Sequence, residues 1–210
     1  MTHYLIEFRF QGKSKRDLKK LIYEVDKKFR LGNAKLKRPV PHITIVAPFS
    51  TSNQKRLVKD FKQVCENHPL IRFNISGFGS FSKTRVVYRE IKPSKELIGF
   101  RRDLINKLKS YCILSSTDVR SFLGLFKMIR EYHPHATIAM KLEKNKFEKI
   151  KKYMDRKRES NLRYTLARVT LIKNKRILYE YDFLLKRLLN RREAKSKRLY
   201  TKTINLLKND

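Results

Sequence analysis

Apolar side chains recur along this chain at two different spacings, which divide it into predicted strands and predicted helices. Seven segments alternate apolar with polar residues or form short apolar runs, and both patterns are typical of strands. They are residues 4–10, 42–47, 70–76, 85–91, 135–140, 162–172 and 177–183. Pro48 is expected to end the second strand, and residues 77–81 are expected to form a turn.

Apolar residues at spacings of three and four predict four amphipathic helices. The first is expected to be capped by Ser14 and the second to start at Thr51 or Ser52, while Ser94 opens the third and Asn145 the fourth. The apolar residues between 111 and 130 follow neither spacing. That stretch is compatible with a helix, a strand or a binding loop.

The order of these elements repeats. After residue 42 the predicted order is strand, helix, strand, strand, and the same order follows residue 135. Helices mixed with neighbouring strands predict an α+β fold rather than a doubly wound parallel sheet. The repeat predicts two pseudo-symmetric lobes of antiparallel sheet with flanking helices.

A five-residue motif opens both repeats. It reads P-H-I-T-I at residues 41–45 and P-H-A-T-I at residues 134–138. Because strand side chains alternate between two faces, His42 and Thr44 share one face, as do His135 and Thr137. Two such strands side by side would surround one cleft with two imidazoles and two hydroxyls. This set suits phosphate chemistry, with one base, one acid and donors to phosphate oxygens.

The charge of the chain indicates a polyanionic partner. Lysine and arginine number 52 against 19 aspartates and glutamates, giving a net charge of +33. Self-repulsion on this scale favours a nucleic acid as the partner. A lysine-rich proteome would not explain the scarcity of acids, and an anionic membrane is a weaker alternative without a terminal basic amphipathic helix.

Cysteine usage and hydropathy favour a reduced, cytoplasmic protein with no membrane partner. Cys65 and Cys112 form no C-x-x-C pair. The first ten residues are too charged for a signal peptide, and no apolar run approaches the roughly 20 residues that span a bilayer. Residues 186–210 hold nine lysines and arginines against two acids. They form either a basic arm that grips a phosphate backbone or a solvated helix end.

The motifs and their surroundings resemble the two-histidine (2H) phosphoesterase superfamily. Within it, the chain is similar to the RNA 2',3'-cyclic phosphodiesterases, which are also described as 2'-5' RNA ligases. The resemblance lies in V-P-H-I-T-I-V-A-P-F at residues 40–49 and R-E-Y-H-P-H-A-T-I-A at residues 130–139. It extends over residues 1–185, which are expected to form one bilobal domain followed by a basic tail at residues 186–210.

This resemblance implies a central cleft that holds both H-x-T motifs and an enzyme that needs no metal or cofactor. Such enzymes open 2',3'-cyclic phosphates to a phosphomonoester, typically the 2'-phosphate, and some join RNA ends through a 2'-5' linkage. His42 and His135 match the catalytic histidines, and Thr44 and Thr137 match the phosphate-binding hydroxyls. Which histidine acts as the base stays open. The expected partner is tRNA or another RNA with a 2',3'-cyclic phosphate end, bound by a monomer.

Three further residues are candidates for contacts with the substrate. Relatives often carry a basic residue where this chain has Met140, and strand alternation would turn Lys141 towards His135 as a substitute phosphate contact. Tyr132 matches an aromatic residue of relatives and is a candidate for base stacking, or else a core residue. Arg130 is a candidate RNA contact, or else an ordinary surface arginine.

Two other functions compete with the phosphodiesterase. A non-catalytic RNA-binding protein would keep the cleft and bind RNA through its charge, in a strongly salt-dependent way. A metal hydrolase with His42 and His135 as ligands is disfavoured, because only Glu131 lies close to either motif and a catalytic zinc usually needs three protein ligands.

Overall fold

The fold is described by a computed structural model over residues 2–32, 39–114, 132–157 and 161–208. The strands in these ranges are β1 (His3–Arg9), β2 (His42–Ser50), β3 (Ile71–Phe81), β4 (Val86–Lys92), β5 (Ile113–Leu114), β6 (His135–Ala139), β7 (Leu162–Leu166), β8 (Arg168–Lys173), β9 (Arg176–Asp182) and β10 (Arg187–Asn190). The helices are α1 (Gly12–Lys28), α2 (Gln54–Glu66), α3 (Lys95–Leu108), α4 (Lys144–Asp155), α5 (Arg191–Ala194) and α6 (Lys197–Lys208). None of these helices has the length and apolar character that crossing a membrane requires.

The strands form two antiparallel sheets, and each sheet holds one H-x-T motif. Sheet A has the order β10-β9-β8-β1-β2-β5, and sheet B has the order β6-β4-β3-β7. The first motif lies on β2, beside the short edge strand β5, and the second lies on β6, at the edge of sheet B. The predicted α+β fold with two lobes and a repeated order of elements is confirmed.

One apolar face of sheet A is covered by α2 and α3. Ile43 and Ile45 on β2 belong to the same buried cluster as Leu57 and Phe61 of α2 and Phe100 of α3. Burial of side chains of this size contributes about 1.5–3 kcal/mol each. The opposite face of β2, which carries His42 and Thr44, is therefore left for the cleft.

Helices α1 and α4 cover the apolar face of sheet B in the same way. Ile138 on β6 and Val87 on β4 pack in one buried cluster with Val25 of α1 and Ile150 of α4. The chain thus crosses from sheet A to sheet B directly after β1, and α1 ties the two lobes together.

The helix starts agree only in part with the predictions. Ser94 caps α3 by accepting a hydrogen bond from the backbone N–H of Leu97 at 3.2 Å. Helix α2 is capped by Asn53 rather than by Thr51 or Ser52. Helix α1 begins at Gly12 and α4 at Lys144, so the predicted caps Ser14 and Asn145 lie inside the first turn.

Two predicted interruptions of strands are β-bulges instead. Pro48 does not end β2, because the pairing with β1 shifts between Val46 and Phe49, and a bulge tolerates a residue without an N–H. Residues 77–81 are not a turn, since β3 continues through them to Phe81. There the pairing with β4 shifts between Ile75 and Phe78.

One segment that is predicted as a single strand forms two strands. The apolar run at residues 162–172 divides at Ala167, so that β7 pairs with β3 in sheet B while β8 pairs with β1 in sheet A. The second motif strand ends at Ala139, one residue earlier than expected. Most of the poorly patterned stretch at residues 111–130 lies outside the described residues.

The segment predicted as a basic tail contributes regular structure. Strand β10 pairs with β9 at the edge of sheet A. Helix α6 is anchored by the buried Thr203, whose hydroxyl accepts a hydrogen bond from Arg168 and donates one to Asp182, both at 2.5 Å. Thr203 is the only buried residue among those of α6, and the separation of this segment from residues 1–185 as a distinct region stays a prediction.

Candidate active site between the two motif strands

Side chains alternate between buried and partly exposed along both motif strands, as the sequence predicts. His42 and Thr44 on β2 are partly exposed, whereas Ile43 between them is buried. His135 and Thr137 on β6 are likewise partly exposed on either side of buried Ala136. The apolar partner residues fix each strand against its own core, and the polar ones stay accessible to a substrate.

Both imidazoles are held by the same kind of hydrogen bond. Nδ1 of His42 lies 2.8 Å from the carbonyl oxygen of Val40, and Nδ1 of His135 lies 2.9 Å from the carbonyl oxygen of His133. A carbonyl can only accept, so Nδ1 carries the hydrogen in each ring. In a neutral ring Nε2 is then the proton acceptor, and in a charged ring it is a donor.

A direct hydrogen bond joins the two motif segments. The hydroxyl of Tyr132, three residues before His135, donates to the carbonyl oxygen of Thr44 at 3.0 Å. Arg101 of α3 supports this link, because its guanidinium lies 4.2 Å from the centre of the Tyr132 ring and its Nε donates to the carbonyl oxygen of Ile45 at 3.0 Å. Burial raises the pKa of Tyr132, so its hydroxyl remains a donor.

His135 is poised to be neutral. Burial lowers its pKa below the ordinary histidine value, the hydrogen bond to the His133 carbonyl raises it, and the positive charges of His133 and His42 lower it further. The net direction is downwards. A neutral ring with a protonated Nδ1 offers Nε2 as a general base. The influence of the His42 charge also indicates that the two imidazoles lie in one electrostatic environment.

The surroundings of His42 contain an ion pair that sequence reasoning missed. Oε2 of Glu7 lies 3.8 Å from Nε2 of His42, and Glu7 has only 5% of its side chain exposed. Its other oxygen accepts a hydrogen bond from Nε of Arg9 at 2.5 Å. The pairing of β1 with β2 places Arg9 opposite His42 and Glu7 opposite Thr44. Glu7 and Arg9 can be identified as neighbours of the first motif only from this register.

The surroundings of His135 are aromatic, and they too were missed. The ring centres of Phe81 and Tyr88 lie 5.0 and 5.1 Å from that of His135. His133 packs against the same two rings, at 5.4 and 5.3 Å. The pairing of β4 with β6 sets Tyr88 opposite Thr137. These rings bury His135, and burial is the largest cause of its lowered pKa.

The remaining predicted site residues fall in different places. Lys141 is exposed beyond the end of β6 with a φ of 58°, so the strand alternation that would turn it towards His135 does not reach it. Tyr132 has one ring face occupied by Arg101 and its hydroxyl bound to β2, and its role in base stacking stays a prediction. Arg130 lies outside the described residues. Among the residues that the structure does describe, no group of three metal-ligating side chains is assembled.

The chain was compared with models of protein families and with curated proteins. The model of a protein family described as the 2'-5' RNA ligase superfamily matches residues 19–177. No curated protein matches the chain in sequence.

Several solved structures are similar to the chain. A structure described as a phosphoesterase has 17% sequence identity and a TM-score of 0.49, with 90% of this chain and 93% of the other covered. Escherichia coli LigT complexed with 3'-AMP has 15% identity, a TM-score of 0.48 and coverages of 89% and 92%. Kluyveromyces marxianus Usb1 with uridine monophosphate has 11% identity, a TM-score of 0.43 and coverages of 84% and 96%.

Proposed function

Because the chain belongs to the 2'-5' RNA ligase superfamily of 2H phosphoesterases, we propose that it is an enzyme that opens 2',3'-cyclic phosphate ends of RNA. The product is a phosphomonoester, the 2'-phosphate. Membership in the superfamily supports a phosphoesterase that processes RNA ends, and the cyclic phosphate substrate is the finer part of the proposal. The observation that carries it is the matched pair of imidazoles, each with Nδ1 hydrogen-bonded to a carbonyl and Nε2 available.

The two histidines divide the proton transfers between them. His135, whose pKa burial lowers, starts neutral and takes a proton from a water molecule as its oxygen bonds to phosphorus. The bond between phosphorus and the ribose O3' breaks. His42, in its protonated form, gives its Nε2 proton to the leaving oxygen. The Glu7 carboxylate, 3.8 Å from that nitrogen, faces the positive charge of the acid form.

The two threonine hydroxyls bind the phosphate. Thr44 and Thr137 lie two residues after His42 and His135, so each threonine side chain is on the same face of its strand as the imidazole. As donors to the non-bridging oxygens they stabilise the charge that develops on the phosphate in the transition state.

Ligation requires only a different nucleophile. If the 5'-hydroxyl of a second RNA replaces water, its oxygen bonds to phosphorus, the same bond to O3' breaks, and a 2'-5' linkage forms. The proton transfers assigned to His135 and His42 are unchanged. The chain therefore has the groups for both outcomes, and hydrolysis predominates wherever water reaches the phosphate more often than an RNA end does.

The test is a product assay on a short RNA that ends in a 2',3'-cyclic phosphate. The reaction is run with excess chelator and followed by phosphorus NMR, which distinguishes the cyclic phosphate from the 2'- and 3'-monoesters. Conversion to the 2'-monoester is the expected result. Conversion to the 3'-monoester would contradict the assignment of O3' as the leaving oxygen.

A second candidate function is favoured by the net charge of +33. A non-catalytic protein of this charge would bind the same RNA in a salt-dependent way without altering its end. Tight binding with no conversion of the cyclic phosphate would favour this binding function over the proposed enzymatic one.

A further inference from the structure

A cavity of about 380 Å³ lies outside the cleft residues described above, between the start of α1, strand β7 and helix α6. Part of its wall is apolar and comes from Phe8, Ile204 and Leu207. Two tyrosines, Tyr164 of β7 and Tyr200 of α6, add aromatic rings and hydroxyl groups. A concave site of this volume that combines apolar and polar side chains is typical of a pocket for a small molecule or for one unit of a polymer.

The charged residues that line this pocket are all cations. Its ionisable lining residues other than the tyrosines are Lys13, Arg163 and Arg168, and no acid is among them. Arg168 is bound to Asp182, Glu180 and Thr203.

The other two cations are available to a ligand. Lys13 and Arg163 are exposed, and within the described ranges neither makes an ion pair. Burial raises the pKa of Tyr200, and the charges of Arg168 and Arg16 lower it by less. A ligand with negative charge and an aromatic or apolar body fits this lining.

Helix α6 is a fixed wall of the pocket. Thr203 is fully buried, and its hydroxyl bonds to both Arg168 and Asp182. These two residues form an ion pair at 2.7 Å with almost no exposure to solvent. The aromatic ring of Tyr200, one turn earlier on α6, lies 5.7 Å from the Arg168 guanidinium. The pocket therefore exists before any ligand arrives.

The pocket lies close to the first motif. Gln11, in its lining, follows Phe10, whose backbone N–H donates to the carbonyl oxygen of Pro41 at 3.0 Å, next to His42. Strand β1 separates β2, which carries His42, from β8, which begins at Arg168. Neighbouring strands are about 4.8 Å apart, so the pocket begins on the order of 10 Å from the His42 strand.

We propose that this pocket binds a nucleotide of the RNA strand whose cyclic end lies between His42 and His135. The base packs against Tyr200 and the apolar wall, and the phosphates contact Lys13 and Arg163. This inference rests on the proposed function for the identity of the polymer. It adds a second contact region, formed by the C-terminal helix, that selects an RNA chain over a free nucleotide.

The test measures binding separately from catalysis. A fluorescein-labelled RNA decamer with a 3'-hydroxyl end, which cannot react, is titrated with the protein and followed by anisotropy. The pocket variant carries Lys13→Glu and Arg163→Glu. The control carries Lys55→Glu and Lys59→Glu, two exposed cations of α2 on the far side of sheet A, with the same change of net charge. Circular dichroism confirms that both variants are folded.

We expect the pocket variant to raise the Kd for the decamer by about tenfold more than the control variant, because two phosphate contacts are lost. A decamer carrying 4-thiouridine should also crosslink to the α6 peptide that contains Tyr200. The proposal that this pocket binds RNA would be contradicted by any of three results. These are equal Kd values in the two variants, no crosslink on that peptide, or no binding by the wild-type protein.

Turnover of a 2',3'-cyclic mononucleotide by the wild-type protein tests the proposed function on its own. If the decamer binds through the pocket but neither this mononucleotide nor an RNA with a cyclic end is opened, the proposed function fails while the pocket stands. If the mononucleotide and the RNA with a cyclic end are both opened but the two variants bind the decamer equally, the proposed pocket is wrong and the proposed function is supported.

Discussion

At the scale of single residues, the two histidines have similar anchors and different environments. A carbonyl two residues earlier fixes each Nδ1, while His42 faces the Glu7 carboxylate and His135 faces the rings of Phe81 and Tyr88. A carboxylate suits an imidazole that starts charged, and an apolar wall suits one that starts neutral. These environments support the proposed assignment of His42 as the acid and His135 as the base, which the motifs alone leave open.

The first prediction concerns the pH dependence of the reaction. Because burial lowers the pKa of His135, the general base stays neutral to a lower pH than an ordinary histidine of pKa about 6.5. The acid limb of kcat/KM for the wild-type enzyme should then fall below pH 6.5. Phe81→Ala should move this limb upwards by exposing His135, whereas Phe81→Leu should leave it in place. A wild-type limb at or above pH 6.5 would contradict the assignment.

The second prediction concerns the two hydroxyls. Thr44→Val and Thr137→Val keep the shape of the side chain and remove a donor to the phosphate, so each should lower kcat by about 10²–10³-fold. The matched variants Thr44→Ser and Thr137→Ser keep the donor and should retain most of the activity. Steady-state kinetics on the cyclic substrate measures both effects, and a valine variant with wild-type kcat would remove that hydroxyl from the mechanism.

The sequence identifies the four motif residues but not their neighbours. His42, Thr44, His135 and Thr137 follow from a repeated pattern with strand alternation, which needs no knowledge of the partner strand. Glu7 becomes a neighbour of the first motif only through the register of β1 with β2. Tyr88 becomes a neighbour of the second motif only through the register of β4 with β6. Register depends on tertiary pairing, and a shift of one residue would place either side chain on the opposite face.

At the scale of elements, the cleft depends on a few contacts that join separate strands and helices. The hydroxyl of Tyr132 links the approach to β6 with the backbone of β2, and Arg101 of α3 packs on its ring. Helix α6 is tied to β8 and β9 through Thr203. Each of these contacts can be removed by a single small substitution.

Tyr132→Phe should lower the free energy of unfolding by about 1 kcal/mol, because it removes one hydrogen bond between the motif segments. It should also lower activity, since the two imidazoles are then held less firmly relative to each other. Tyr23→Phe, at an exposed tyrosine of α1, is the matched control. Urea unfolding measures the difference, and equal stabilities of the two variants would show that the link contributes nothing.

Thr203→Val should destabilise the protein by about 1–3 kcal/mol, since buried Arg168 and Asp182 each lose a hydrogen-bond partner. Thr203→Ser keeps the hydroxyl and should unfold close to the wild type in a thermal denaturation experiment. If the valine variant unfolds with the wild-type midpoint, α6 is not anchored as described.

The limits of prediction at this scale follow from pairing between strands. Apolar spacing, which depends on neighbouring residues only, locates the longer strands and the four helices α1 to α4, but it misses β5, β10, α5 and α6. The bulges at Pro48 and near Gly77, and the division of residues 162–172 between two sheets, depend on which strand lies opposite. A proline or a glycine-rich stretch indicates that the regular strand is interrupted. It does not distinguish a strand end from a turn or a bulge.

At the scale of the whole molecule, each lobe carries one imidazole and one hydroxyl of the proposed site. Sheet A supplies His42 and Thr44, and sheet B supplies His135 and Thr137. The net charge of +33 favours a polyanionic partner, and the pocket at the C-terminal helix is the second contact region proposed for it. In the proposed mechanism the reaction requires both lobes, because neither alone holds the acid together with the base.

The most direct test of this account compares turnover of a 2',3'-cyclic phosphate RNA by His42→Ala, His135→Ala and the control His3→Ala. His3 lies at the opposite end of β1 from Arg9, the partner of His42, about 20 Å away at about 3.3 Å per residue. Each motif variant should lose about 10²–10⁴-fold in kcat while still binding the RNA, and the control should keep wild-type kcat. A motif variant that retains wild-type kcat would contradict the two-histidine mechanism.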